Sequence, residues 1–138
     1  MTRAYLSLGT NLGDKTANLN IAIRLIGELA GEVTAVSSFL ETEPWGFVSD
    51  NSFLNAAVCI ETELSPFDLL HVTESIERTM GRKRKSTKGI DGYEDRIIDI
   101  DILLYGDLKI NSDRLTIPHE KMTQREFVMR PLKEIKTE

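Results

Sequence analysis

The segment "RIIDIDILLYG", Arg96 to Gly106, narrows most what this chain can fold into. Its β-branched, apolar composition is that of a strand entering a core, yet Asp99 and Asp101 lie in its middle. Successive strand side chains point to opposite faces, so Ile98, Ile100 and Ile102 share one face and the two aspartates share the other. The chain therefore needs a sheet with one packed face and one charged face. Along the strand the two carboxylates stand ~7 Å apart, and at a surface-like dielectric they repel by about 2 kcal/mol. An edge strand with a solvated face tolerates this, although such faces usually mix Thr, Lys and Glu and avoid like charges side by side. A hard cation such as Mg²⁺ removes the repulsion, because it takes carboxylate oxygens and often shares them with substrate phosphates.

The elements around this strand follow from local patterns. "RAYLSLG" (Arg3 to Gly9) reads as a first strand. Asp14 caps a helix whose apolar positions Leu19, Ala22, Ile23, Ile26 and Leu29 form one face, and Gly31 stops it. Glu32 to Thr42 is a second strand, Glu43 to Ser52 a loop by its Pro, Gly, Asn and Asp content, and Phe53 to Thr62 a third strand. Ser65 and Pro66 open a second helix that buries Leu69, Leu70, Ile76 and Met80, and Gly81 ends it. A polar loop, Arg82 to Asp95, leads to the fourth strand from Arg96. The order predicts an α+β fold, a ferredoxin-like βαββαβ sandwich with both helices on one face of a four-stranded antiparallel sheet and the other face free for a site. Asp107 to Glu120 predicts a short hairpin, and Gln124 to Ile135 a short helix interrupted at Pro131.

At 138 residues the expectation is a single domain, 1–138, with a real core. The lone cysteine, Cys59, cannot form an intrachain disulfide, and neither a signal-like N-terminus nor a membrane-length apolar run is present, which points to the cytoplasm. A net charge of −5 argues against generic nucleic-acid binding. Yet "RKRKSTK", Arg82 to Lys88, carries five cations in seven residues. One local basic segment on an acidic chain suits a small polyanion.

Such charge runs are commonly just solvated. Here Arg82, Arg84 and Arg96 bracket a loop that lands directly before the aspartates, and guanidinium forks bind phosphate bidentately. Carboxylates for Mg²⁺ beside arginines for phosphate form a more selective combination than either alone. Arg114, His119 and Arg125 fall in one short irregular segment downstream. Asn55 lies mid-strand on the same face as Phe53, where it reads either as a hydrogen-bonded buried amide or as a reader of a heterocycle's edge with Phe53 as stacking face. Thr42 and Trp45 adjoin it, Trp45 as an exposed lid or a packed anchor. "GTNLG" (Gly9 to Gly13) lacks the Lys-Ser/Thr of a P-loop and reads as a tight turn.

The stretches "AYLSLGTNLGD", "SSFLETEPWG", "FLNAAV", "GRKRK", "DRIIDIDILLYG" and "RLTIPHEKMTQREFVMRPL" together resemble the 6-hydroxymethyl-7,8-dihydropterin pyrophosphokinase family, in the family's order and over nearly the whole chain. The resemblance implies transfer of diphosphate from ATP to the hydroxymethyl group of a dihydropterin, with AMP released, in folate biosynthesis. It implies two Mg²⁺ ions with ATP on Asp99 and Asp101. Arg82, Arg84 and Arg96 would grip phosphate, with His119 and Arg125 as further triphosphate ligands, and Asp101 would assist proton removal. Glu77, Ile102, Arg114 and Thr116 would line the nucleoside pocket. Thr42, Glu43, Trp45, Phe53, Asn55, Asp99 and Phe127 would form the pterin side, the two phenylalanines sandwiching the ring. Where the family commonly has a tryptophan in the basic loop and an aromatic after the motif histidine, this chain has Tyr93 and Glu120. The expected partners are these small molecules, with no nucleic acid and no membrane, the protein acting as a monomer.

Two rival readings share the βαββαβ pattern: an RNA-recognition module and a regulatory or catalytically silent ligand-binding domain. "IDIDI" on a central strand would repel RNA phosphate, and intact Asp99, Asp101, Arg96 and His119 argue against the silent relative.

Overall fold

A computed structural model describes residues 1–42, 52–81 and 97–136. The elements are β1 (Thr2–Thr10), α1 (Lys15–Leu29), β2 (Glu32–Val36), β3 (Leu40–Thr42), β4 (Phe53–Thr62), α2 (Pro66–Thr79), β5 (Asp99–Tyr105), β6 (Ile110–Asn111), β7 (Thr116–Ile117) and α3 (Glu126–Ile135). The main sheet runs β2-β4-β1-β5 with β3 also on β4, every pair antiparallel, and β6 and β7 form the small hairpin.

Local chemistry sets the helix starts. The Asp14 carboxylate accepts from the Ala17 N–H at 3.1 Å, and the Ser65 hydroxyl accepts from the Asp68 N–H at 3.1 Å, so each start satisfies a donor that has no partner within the helix. Leu19, Ala22 and Ile26 of α1 and Leu69 and Ile76 of α2 pack on Leu6 and Leu8 of β1, Val58 and Ile60 of β4, and Ile100 and Ile102 of β5. Full burial of each such side chain contributes roughly 1.5–3 kcal/mol. Gly31 lies so close to β4 that a Cβ there would collide with the Glu61 carbonyl oxygen. Close approach fixes that glycine.

Six expectations need correction. The strand with "IDIDI" is expected to be central, but β4 and β1 take the middle and β5 lies at the end of the described sheet. The second strand is two, because Ser37 leaves the ladder: its hydroxyl accepts the Ala57 N–H at 2.9 Å, a bond a backbone carbonyl would take in a continuous strand. Leu29 is 52% exposed, since α1 rotates it off the packed face as the helix ends. The fourth strand begins at Asp99, not Arg96, because pairing with β1 begins at Gly9 opposite Asp99. The last helix continues through Pro131, which is buried and costs α3 only the one N–H that would face the Phe127 carbonyl. Finally, the second face of the sheet is only partly free. Val128 and Leu132 of α3, with Met122, cover Tyr5, Cys59 and Leu103 there in a second, smaller core.

Candidate active site

The part of the second face that α3 leaves open is built on small residues. β1 lies between β4 and β5, and Gly9 pairs with Asn55 on one side and Asp99 on the other. In the next row on that face Ser7 pairs with Ala57 and Asp101. Asn55 and Asp99 thus flank a strand with no side chain at Gly9, two strand spacings, or about 10 Å, apart. Phe53 and its β3 partner Thr42 stand beside Asn55, and Arg125, Phe127 and Val128 close the cleft from the start of α3. The Arg125 guanidinium carbon lies 5.8 Å from the centre of the Phe127 ring. The space in and at the mouth of the cleft, open solvent included, is about 520 Å³.

Hydrogen bonds fix how Asn55 faces this cleft. Its amide nitrogen donates to the Thr42 hydroxyl at 2.8 Å and to the Leu40 carbonyl at 3.3 Å. That orientation turns Oδ1 toward Gly9, where an added Cβ would lie 3.2 Å from it. The Thr42 hydroxyl, having accepted from Asn55, keeps its own proton to donate. An acceptor and a donor therefore sit side by side, complementary to the lactam edge of a heterocycle.

A second cleft opens beside β5 and is lined by Ile102, Arg114, Thr116, His119 and again Asp101. Asp101 belongs to both clefts. Arg114 is held from α2: it donates to the Glu74 carboxylate at 3.2 Å and lies 3.3 Å from His71 Nε2. The His119 N–H donates to the Leu103 carbonyl at 3.1 Å, and its ring Nδ1 accepts from the Lys121 N–H at 3.3 Å. A neutral ring consequently carries its proton on Nε2. Burial holds the imidazole below its ordinary pKa, the Arg125 charge pushes the same way, and Glu120 and Asp99 oppose both.

The structure brings Thr42, Phe53, Asn55, Asp99, Asp101 and Phe127 together in the first cleft and Ile102, Arg114, Thr116 and His119 in the second. Arg125 lines the first cleft rather than the second. Glu77 lines neither; it is 4% exposed on α2 and accepts the Ile100 N–H at 2.8 Å. Glu43, Trp45, Arg82, Arg84 and Arg96 lie outside the described residues. Sequence reasoning passed over Ser7, Gly9 and Val128 as parts of the first cleft, and His71 and Glu74 as the hold on Arg114. A glycine inside a strand was the available signal for the first, since it marks close approach by a ligand or another backbone.

Among the described residues no group of three or more His, Cys, Asp and Glu forms a metal cage. Two carboxylates on one face suit Mg²⁺, which is usually bound through one or two carboxylates plus substrate phosphates and water.

A sequence model of the family described as 7,8-dihydro-6-hydroxymethylpterin-pyrophosphokinase (HPPK) matches residues 5–137. The chain is 48% identical over 136 residues to a 2-amino-4-hydroxy-6-hydroxymethyldihydropteridine pyrophosphokinase of Porphyromonas gingivalis, covering 98% of this chain and 91% of that protein. It is 43% identical over 133 residues to the pyrophosphokinase of the same name from Bacillus subtilis, covering 96% and 77%. Among solved structures, a Plasmodium falciparum HPPK-DHPS matches with a TM-score of 0.76 at 18% identity, covering 97% of this chain and 39% of that one. At that identity the likeness is one of fold.

Proposed function

The chain belongs to the 7,8-dihydro-6-hydroxymethylpterin-pyrophosphokinase family, and on that premise we propose how its residues divide the reaction. The protein is an ATP-dependent pyrophosphokinase of folate biosynthesis, transferring diphosphate from ATP to the hydroxymethyl group of 6-hydroxymethyl-7,8-dihydropterin with release of AMP. The single observation that carries the division of roles is the position of Asp101, which borders both clefts. The pterin takes the first and the nucleotide the second, so the acceptor oxygen and the phosphate chain meet at that carboxylate.

In this reading Phe53 and Phe127 hold the two faces of the pterin ring, and Asn55 Oδ1 and the Thr42 hydroxyl take its lactam edge. Glu43 and Trp45 belong to the same side. Ile102, Arg114 and Thr116 line the nucleoside pocket, with Glu77 behind them, while Arg82, Arg84 and Arg96, and Arg125 from the wall of the first cleft, neutralise phosphate oxygens where the two clefts meet at Asp101. His119 donates from Nε2 to a phosphate oxygen. Asp99 and Asp101 would hold two Mg²⁺ ions brought with ATP, which would supply neutralisation of phosphate charge and polarisation of the β-phosphorus. The pterin oxygen bonds to that phosphorus in line, the bond to the α-phosphate oxygen breaks, and Asp101 receives the alcohol proton. Catalysis is mainly alignment and charge neutralisation.

Strand order β2-β4-β1-β5 supports the ferredoxin-like assignment. A single domain over 1–138, acting as a monomer in the cytoplasm, completes the proposal. No described helix is long and apolar enough to cross a membrane. The test is AMP release from ATP and Mg²⁺ with and without 6-hydroxymethyl-7,8-dihydropterin. AMP that requires both pterin and Mg²⁺ is expected. ADP in its place would mean the γ-phosphate is transferred and the division of roles is wrong.

A further inference from the structure

Glu77 is a carboxyl side chain in the interior, and its position relative to the two aspartates gives it a specific use. Its Oε2 accepts the N–H of Ile100 at 2.8 Å, and Ile100 is the residue between Asp99 and Asp101. Residues of an antiparallel pair alternate between those that exchange both backbone bonds with the partner strand and those whose N–H and C=O point away from it. Ile100, opposite Leu8 of β1, is of the second kind, since its N–H goes to α2. Asp99 and Asp101, opposite Gly9 and Ser7, are then of the first kind and are stitched to β1. The strand is gripped from β1 at both aspartates and from α2 at the peptide joining Asp99 to Ile100.

We propose that Glu77 is a positioning residue for the aspartate pair: by holding the Ile100 amide it sets the spacing and direction of the Asp99 and Asp101 carboxylates toward the cation. The proposal rests on the reading of Asp99 and Asp101 given above. The geometry explains why the acceptor comes from α2: β5 ends the described sheet, so no further described strand supplies a carbonyl for the outward Ile100 N–H. It explains the burial too, because at 4% exposure water does not compete for the Ile100 N–H. Glu77 reaches the dyad through the backbone, and so differs from a residue that lines a substrate pocket.

The test compares Glu77→Ala with Glu77→Gln, which keeps an oxygen for Ile100. Three readouts serve: Mn²⁺ affinity in the presence of a non-hydrolysable ATP analogue, exchange of the Ile100 amide by NMR, and kcat against pterin KM. Glu77→Ala is expected to lose Mn²⁺ affinity and kcat by about 10- to 100-fold, the usual cost of removing an outer partner of a metal ligand, with pterin KM within about twofold. Glu77→Gln is expected to stay within about threefold of wild type, with Ile100 still protected. Wild-type Mn²⁺ affinity in Glu77→Ala would overturn the proposal, as would a Glu77→Gln variant as impaired as Glu77→Ala. If Glu77→Ala does not fold, Glu77→Gln and the wild-type Ile100 amide decide, and exchange as fast as an exposed amide would overturn it. A wild-type protein that binds no Mn²⁺ with nucleotide would overturn the site reading and this proposal together. That is distinguishable from failure of the grip alone, in which wild type and Glu77→Ala bind Mn²⁺ equally.

Discussion

Gly9 sets the depth of the first cleft, because any side chain there would occupy the space between Asn55 and Asp99. A Cβ would stand 3.2 Å from Asn55 Oδ1 and 3.7 Å from the Phe53 ring, so Gly9→Ala crowds the acceptor and Gly9→Val adds two methyl groups where a flat ligand would lie. Gly9→Val is expected to weaken pterin binding on the order of 100-fold while leaving Mg²⁺-ATP affinity within about threefold. Calorimetric titration of each ligand checks this, and equal losses for both would mean that the two clefts are not separately built. The aspartates, Asn55 and Phe53 are legible in sequence because a polar or aromatic residue on an otherwise apolar strand stands out. Gly9 and Ser7 are not, since their contribution is the space they leave and appears only once β1 is seen in register between β4 and β5.

Between the elements, Lys15 ties α1 to the sheet. Its ammonium donates to the Ser52 carbonyl and hydroxyl, each at 3.3 Å, and lies 3.6 Å from the Glu41 carboxylate, which itself accepts from the Ser52 hydroxyl at 2.6 Å. Glu41 and Ser52 immediately precede Thr42 and Phe53, so this clasp steadies two walls of the first cleft. The Ser52 hydroxyl, and after it the Lys15 charge, hold the Glu41 carboxyl below its ordinary pKa. Lys15→Ala is expected to raise pterin KM roughly threefold to fivefold with little change in melting temperature, the scale of a half-exposed ion pair. Unchanged KM in steady-state assays would show that the clasp does not reach the site. The helix starts were readable because a cap is a matter of three or four adjacent residues. The break at Ser37 was not, because it depends on Ala57, twenty residues away, donating its N–H to a hydroxyl in place of a carbonyl.

Over the whole molecule, the resolved shifts at His119, Glu41 and Glu134 act in one direction with pH. His119 titrates in the fold below its ordinary 6.5, so as pH falls the unfolded chain takes up that proton first and stability declines from about 6.5 down to the folded value. Glu134 accepts from the Ser38 backbone N–H and, at 2.7 Å, from its hydroxyl; these bonds hold it below 4.5, and Glu41 is likewise lowered. Their contribution is present above that pH and is lost as pH falls through the folded values. The melting temperature of the ligand-free protein is expected to fall in two stages between pH 8 and 3, the upper stage disappearing in His119→Asn. A melting temperature unchanged from pH 7 to 5.5 would contradict the assignment for His119. Fold order was legible at this scale from alternating periodicities. The placing of α3 over part of the second face was not, because Val128 and Leu132 find Tyr5 and Leu103 only after the sheet exists.

The strand that carries the two aspartates is also the margin of the described sheet, the position at which another chain can add itself as one more strand. Placing like charges on such a strand, and occupying its outward Ile100 N–H with a carboxylate from α2, makes that margin a poor template for strand addition. The acidity gathered here thus bears on solubility as well as on chemistry, and a substitution that neutralises it would expose the protein to aggregation through β5.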